Sequence, residues 1–165
     1  MRMLSFEELF IAYSPEVYRF AAWLSGNDND AEDITAETFA RAWMNFASIR
    51  TETLKAYLFT IARNIYFESL RKKRHHYEVL DENLPDPRIS LEEKFENRSE
   101  LEQVRAALLT LNEVDRSAFV LRVQHDLSYA EIARILKISE GTAKVKVHRA
   151  RKQLFASKIK RSSNE

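Results

Sequence analysis

The stretch Ser128 to Leu154, SYAEIARILKISEGTAKVKVHRARKQL, constrains this chain more than any other. Ser128 with Glu131 forms a capping box, which starts a helix at Tyr129. Ala130, Ile132, Ala133 and Leu136 give that helix one small, apolar packing side. Lys137-Ile138-Ser139 reads as a turn, and Ser139 is placed to cap a second helix from Glu140 onward. In the second helix Ala143, Val147, Ala150 and Leu154 recur at spacings of four, three and four, which makes one buried stripe. The opposite side carries Thr142, Lys144, Val145, His148, Arg149 and Arg151. Two helices about a tight turn, the second one basic, make a helix-turn-helix. That motif lays its second helix in the major groove, where Lys and Arg bond guanine edges and phosphates. A helical hairpin with a solvated basic face has the same pattern. Lys137 stands at the turn position often held by Gly, so a positive φ there carries a modest cost.

The remainder of the chain also reads as helix. Two Gly and three Pro in 165 residues favour long helices and do not suggest sheets. Ser5 with Glu8 is a further capping box, followed by Phe6, Leu9, Phe10, Tyr13, Val17, Phe20, Ala21 and Leu24 at helical period. Pro15 falls inside this pattern, so the helix either kinks or restarts with Ser14 as its cap. After a turn at Ser25-Gly26-Asn27, a second helix is predicted from about Asp30 to Phe46. Ile34, Thr38, Ala42 and Phe46 face inward, with Phe39 and Trp43 beside them. A third helix follows from about Thr53 to Lys73, burying Leu54, Tyr57, Leu58, Ile61, Ile65 and Leu70. Three such helices make a compact bundle.

From His75 to Ile89 the period is lost, and Pro85-Asp86-Pro87 bars a helix. Ser90 with Glu93 opens a charged helix toward Leu111, with Leu101, Val104, Leu108 and Leu111 as its apolar line. Asn112 caps a helix to about His125, with Phe119, Val120 and Val123 inside. The expected architecture is all-α. A helix bundle (1–74) and a helix-turn-helix domain (101–160) are joined by a flexible linker (75–100).

Net charge is only +1, but its distribution is uneven. Asp28, Asp30, Glu32, Asp33 and Glu37 gather early in the second helix, Arg71 to Arg74 are four consecutive bases, and Lys137 to Arg161 is strongly basic. Two basic segments separated by the acidic stretch Tyr77 to Glu100 suit two contacts with an anionic polymer. The absence of Cys removes disulfides, thiolate metal sites and cysteine nucleophiles. No apolar run approaches the ~20 residues of a membrane span, and the N-terminus lacks a signal-peptide pattern, so a cytoplasmic chain is expected. The four His are scattered and no nucleophile triad or metal-ligand spacing is present, so neither catalysis, metal, cofactor nor small-molecule substrate is expected. A free-standing helix-turn-helix regulator would need a dimerisation element, yet no heptad repeat is visible and the N-terminal bundle would be superfluous.

Two segments carry a resemblance. LNEVDRSAFVLRVQHDLSYAEIARILKISEGTAKVKVHRARKQL resembles region 4 of bacterial RNA polymerase sigma factors of the extracytoplasmic-function (ECF) group. DAEDITAETFARAWMNF with LKAYLFTIARNIYFESLRKKR resembles their region 2. Either motif alone is moderately specific; both, in this order about a Pro-containing linker, are highly specific. The resemblance implies binding to core RNA polymerase through the large-subunit clamp helices and the flap, recognition of promoter DNA, control by an anti-sigma protein and a place in stress response.

Roles carry over residue by residue. Asp33, Glu37 and Arg41 match the helix that contacts polymerase; those acids equally suit the helix dipole. The loop Ala47 to Glu52 matches the family's specificity loop, which receives a base flipped from the non-template strand. Ile49 there replaces the aromatic of many relatives, which suits a wedge better than a stacking platform. Asn64 matches a position lining that base pocket, where an amide both donates and accepts. Arg63, Arg71, Lys72, Lys73 and Arg74 match the helix that tracks the −10 element and offer cations to phosphates. Lys144, Val145, His148 and Arg149 match the surface reading the −35 element, with Arg149 foremost for base readout and Thr142 and Arg151 for phosphates. Val145 offers only apolar contact, for example to a thymine methyl. The acidic linker either threads near polymerase channels or is simply solvated.

Overall fold

The structure, a computed structural model, describes residues 4–50, 53–80 and 99–162. Helix α1 spans Phe6–Ser25, α2 Asp28–Met44 and α3 Leu54–Leu80, with a 3-10 turn at Phe46–Ser48. Helix α4 spans Glu100–Leu109, α5 Glu113–Val123, α6 Tyr129–Leu136 and α7 Glu140–Ser162. No strand occurs among the described residues, as the composition implied.

Local signals place most of the helix ends. The Ser5 box closes reciprocally: Glu8 N–H donates to Ser5 Oγ at 3.1 Å and Ser5 N–H to Glu8 Oε2 at 2.9 Å. Helix α1 then continues through Pro15 without a restart at Ser14. Leu9 before the proline and Val17 and Phe20 after it are all buried in one core, and that packing outweighs the backbone bond the proline lacks. The helix stops at Gly26, whose φ of 67° is left-handed. A Cβ there would lie 2.6 Å from Leu109 Cδ1, so glycine serves both the cap and the approach of α4. Asn27 caps α2 by accepting from Asn29 and Asp30 N–H. Helix α3 extends past Arg74 to Leu80. Ser99 caps α4; the predicted box at Ser90 and the Pro85–Pro87 segment lie outside the described residues.

Three burial expectations are corrected. Trp43 is 61% exposed, not packed inward, because Ile34, Thr38, Phe39 and Ala42 already fill the inward arc of α2. Its ring only meets Phe6 edge-on, at 4.8 Å. In α5 Ala118, Val120 and Leu121 take the core side and leave Val123 exposed. In α4 only the C-terminal end, next to Gly26, reaches the core: Leu108 is buried while Leu101 and Val104 are exposed.

The two helix groups share one continuous core. His125 packs against the rings of Phe20 and Phe59, at 5.7 and 4.7 Å, and those two rings also meet each other at 4.9 Å. Arg116 Nη2 donates to Tyr66 Oη at 2.5 Å, and Arg105 pairs with Asp28 at 3.1 Å. Lys55 Nζ donates to the His125 carbonyl at 3.4 Å and pairs with Glu16 at 3.3 Å. Burial lowers the His125 pKa from 6.5 to about 4; Glu16 opposes this shift, while Lys55 and Arg19 add to it.

A folded-state pKa below the unfolded value means that the unfolded chain binds the extra proton first. The stability due to neutral His125 is therefore complete above pH 6.5 and declines as pH falls toward 4. Urea unfolding at pH 7 and pH 4.5 should show a loss from this group of at most about 3 kcal/mol, much reduced in His125→Leu. An undiminished pH dependence in that variant would assign the acid sensitivity to other groups.

Candidate nucleic-acid interface

The helix-turn-helix forms as its capping pattern demands. Ser128 Oγ accepts from Glu131 N–H at 3.2 Å, and Ser128 N–H donates to Glu131 Oε2 at 2.8 Å. The turn passes through Lys137 with φ 55° and ψ 46°, the left-handed conformation that the missing glycine implied. Ser139 Oγ then accepts from Thr142 N–H at 3.1 Å and starts α7. Ala143, Val147 and Ala150 are buried and Leu154 partly so, as the stripe predicted.

Lys144, Val145, His148, Arg149 and Arg151 all lie exposed on α7. Val145 is 54% exposed, an apolar side chain standing in solvent among cations. Thr142 is half-buried, its hydroxyl 2.7 Å from Ser139 Oγ. Lys144 Nζ lies 5.7 Å from the Tyr129 ring centre. Two residues absent from the sequence reading bear on this surface, Asp115 beneath the helix and Lys146 on its flank. Asp115 of α5 is buried, with Lys146 Nζ 3.4 Å from Oδ1 and Arg149 Nη1 3.8 Å from Oδ2. Only the packing of α7 on α5 joins these residues; their sequence separation hides the contact.

The second surface lies along α3. A cleft of about 450 Å³ is lined by Arg41, Asn64, Phe67, Arg71, Arg74 and Lys137, with Glu68 and Glu113 at its wall. It therefore brings together three predicted −10 residues, one predicted polymerase contact and the helix-turn-helix turn. Asn64 is exposed beside it. Arg63 turns inward with its guanidinium 4.0 Å from the Phe67 ring centre, and burial lowers its pKa to about 10. Lys73 is drawn to α2 by Asp30 at 3.1 Å, and Lys72 points to solvent. Ile49 ends the 3-10 turn, half-buried against the core and outside the cleft. Thr51 and Glu52 of the same loop are not described.

On α2, Asp33 and Glu37 are exposed. Arg41 donates from Nε to Glu37 Oε1 at 3.0 Å and from Nη2 to Glu68 Oε2 at 3.1 Å, bridging α2 to α3. The Arg41 hydrogen bond holds the Glu68 carboxyl below its usual range. Among the described residues no group of His, Cys, Asp and Glu is arranged to hold a metal ion, and no helix is long and apolar enough to cross a membrane.

Residues 9–76 match the family model for sigma-70 region 2, and residues 101–154 match sigma-70 region 4. The ECF RNA polymerase sigma factor EcfG of Rhodopseudomonas palustris is 35% identical over 92% of this chain and 84% of its own length. The chain belongs to the ECF group of the sigma-70 family. The ECF RNA polymerase sigma factor SigE of Mycolicibacterium smegmatis is 34% identical, and this sigma factor spans 64% of its length. Its fold is similar to that of the sigma factor RpoE, solved in complex with the anti-sigma factor NepR from Bartonella quintana. That match has a TM-score of 0.77 and 29% identity, covering 90% of this chain and 93% of that one.

Lys137→Gly should raise stability by about 1 kcal/mol, since a left-handed conformation costs a side-chain-bearing residue about that much. A urea midpoint below that of the parent would show that the turn stores no such strain.

Proposed function

We propose that this sigma factor binds core RNA polymerase and directs promoter-specific transcription initiation, with α7 reading the −35 element and α3 handling the −10 element. One observation carries the reading: regions 2 and 4 occur in order on one chain, and each presents cations. On α7, Lys144, Val145, His148 and Arg149 face base edges, with Thr142 and Arg151 toward phosphates. Along α3, Asn64 meets an unstacked base, Arg71, Lys72, Lys73 and Arg74 follow the strand and Arg63 braces the Phe67 ring, while Ile49, from the turn before α3, wedges at the step. Asp33, Glu37 and Arg41 meet the polymerase clamp helices. Binding energy drives strand opening, and the chemistry of RNA synthesis belongs to the polymerase. The chain acts in the cytoplasm, and an anti-sigma protein covers the same surfaces until a stress signal releases it.

The two domains part on the promoter. Positions −35 and −10 are separated by roughly 85 Å of duplex at ~3.4 Å per base pair. A compact chain of this size has a radius of gyration of only about 15 Å. The chain between α3 and α4 reaches up to about 60 Å when extended. Separation gives up the Arg116–Tyr66 bond and the His125 contacts, and polymerase and DNA contacts offset that loss.

Size-exclusion of the purified chain with core RNA polymerase at moderate salt should give co-elution. A folded chain that bound duplex DNA alone yet never co-eluted would instead be an independent regulator. Arg149→Ala should weaken recognition of the upstream element by roughly 1–3 kcal/mol and relax its sequence preference. Lys73→Ala should weaken binding evenly across sequences and reduce the salt slope by about 1. A changed sequence preference in Lys73→Ala would refute its phosphate role.

A further inference from the structure

We infer that Asp115 is a positioning residue: from beneath α7 it holds the Arg149 guanidinium in the pose that reads an upstream-element base. The inference rests on the proposed readout by α7 and names what sets its geometry.

Asp115 is 1% exposed, and its Oδ1 has no hydrogen-bond partner. A buried carboxylate is unfavourable unless compensated. The charged neighbours here are Lys146 Nζ at 3.4 Å and Arg149 Nη1 at 3.8 Å. The helix dipole does not account for the burial. Glu113 occupies the same first turn of α5 without being buried, and so gains the dipole's favour at lower desolvation cost.

Lys146 and Arg149 are three residues apart on α7, so they stand one above the other on the same flank. Both flank the buried stripe on the side toward α5. Lys146 is mostly covered, its side chain 22% exposed, and acts as the fixed counter-ion. The Arg149 side chain is 52% exposed, with only one nitrogen directed at the carboxylate. A guanidinium has five donors in a rigid fork, so Nη2 and Nε remain free for a guanine O6 and N7. The buried carboxylate therefore restricts the arginine's rotamers before DNA arrives. It also opposes use of that arginine as a general phosphate cation, which sharpens discrimination between sequences.

The test compares the full chain with Asp115→Leu, Arg149→Ala and Asp115→Leu/Arg149→Ala, each assembled with core RNA polymerase. Each complex selects from duplexes randomised across the upstream element, and binding to a fixed unrelated duplex is measured in parallel. Leucine fills the space without a charge, but it removes one partner of a covered ion pair and leaves Lys146 without its counter-ion, which lowers stability. Asp115→Leu should melt below the parent temperature, remain folded at the assay temperature, and lose about tenfold in preference at the base positions that Arg149→Ala affects. Binding to the unrelated duplex should hold or rise, and the double variant should lose no more preference than Arg149→Ala alone. A retained preference in Asp115→Leu, with preference lost in Arg149→Ala, would overturn the positioning role and leave the readout by α7 standing. A retained preference in Arg149→Ala would overturn both. Should Asp115→Leu fail to fold, Asp115→Asn takes its place with the same expectations. Equal losses on selected and unrelated duplexes would reduce Asp115 to a structural residue.

Discussion

Phe20, His125 and Phe59 meet where the helix bundle touches the helix-turn-helix domain, and that contact helps set how the two basic surfaces stand relative to one another. With these three rings in place, the end of α5 lies against α1 and α3. Lys137 is then carried to the cleft beside Asn64, and Arg116 reaches Tyr66. Because His125 is neutral there, the contact behaves as apolar packing. A charged imidazole in the same place would need a partner, and among the described residues Glu16 is the carboxylate that favours it.

The buried charges divide by what compensates them. Arg116 bonds to the Tyr66 hydroxyl and the Leu109 carbonyl, so its desolvation is met by hydrogen bonds across the domain contact. Arg63 is covered by an aromatic face instead. Among the described residues, the charges that Asp115 meets are two cations, both from the helix proposed to enter the DNA groove. The first two arrangements tie helices together. The third couples a core position of α5 to the outer face of α7.

The packed arrangement and the proposed work of the chain make opposite demands. Contacts between the two domains bury Tyr66, Arg116 and His125 and hold the molecule closed. On the proposed reading, the two promoter elements lie too far apart for that closed form. The energy of closing would then be a restraint that polymerase and DNA outweigh, and an anti-sigma partner that favoured the closed form would add to it.

Much was legible in the chain itself, because local chemistry determines helix ends and faces. The capping boxes at Ser5 and Ser128, the stop at Gly26 and the stripe Ala143-Val147-Ala150 each follow from residues within one or two turns of one another. The left-handed Lys137 followed from a turn that wanted glycine. The burial of Trp43 and Val123 was misjudged, since periodicity names a face but not which residues on that face a neighbour covers. The run of α1 through Pro15 depended on core contacts on both sides of the proline. The positions of Asp115 under Arg149, of Arg41 on Glu68 and of His125 against Phe20 and Phe59 join residues far apart in the chain. Sequence alone determined the order of the helices, most of their ends and the basic faces, because those depend on neighbours three or four residues away. Only tertiary packing decided which charges meet, because that depends on how helices distant in sequence cross.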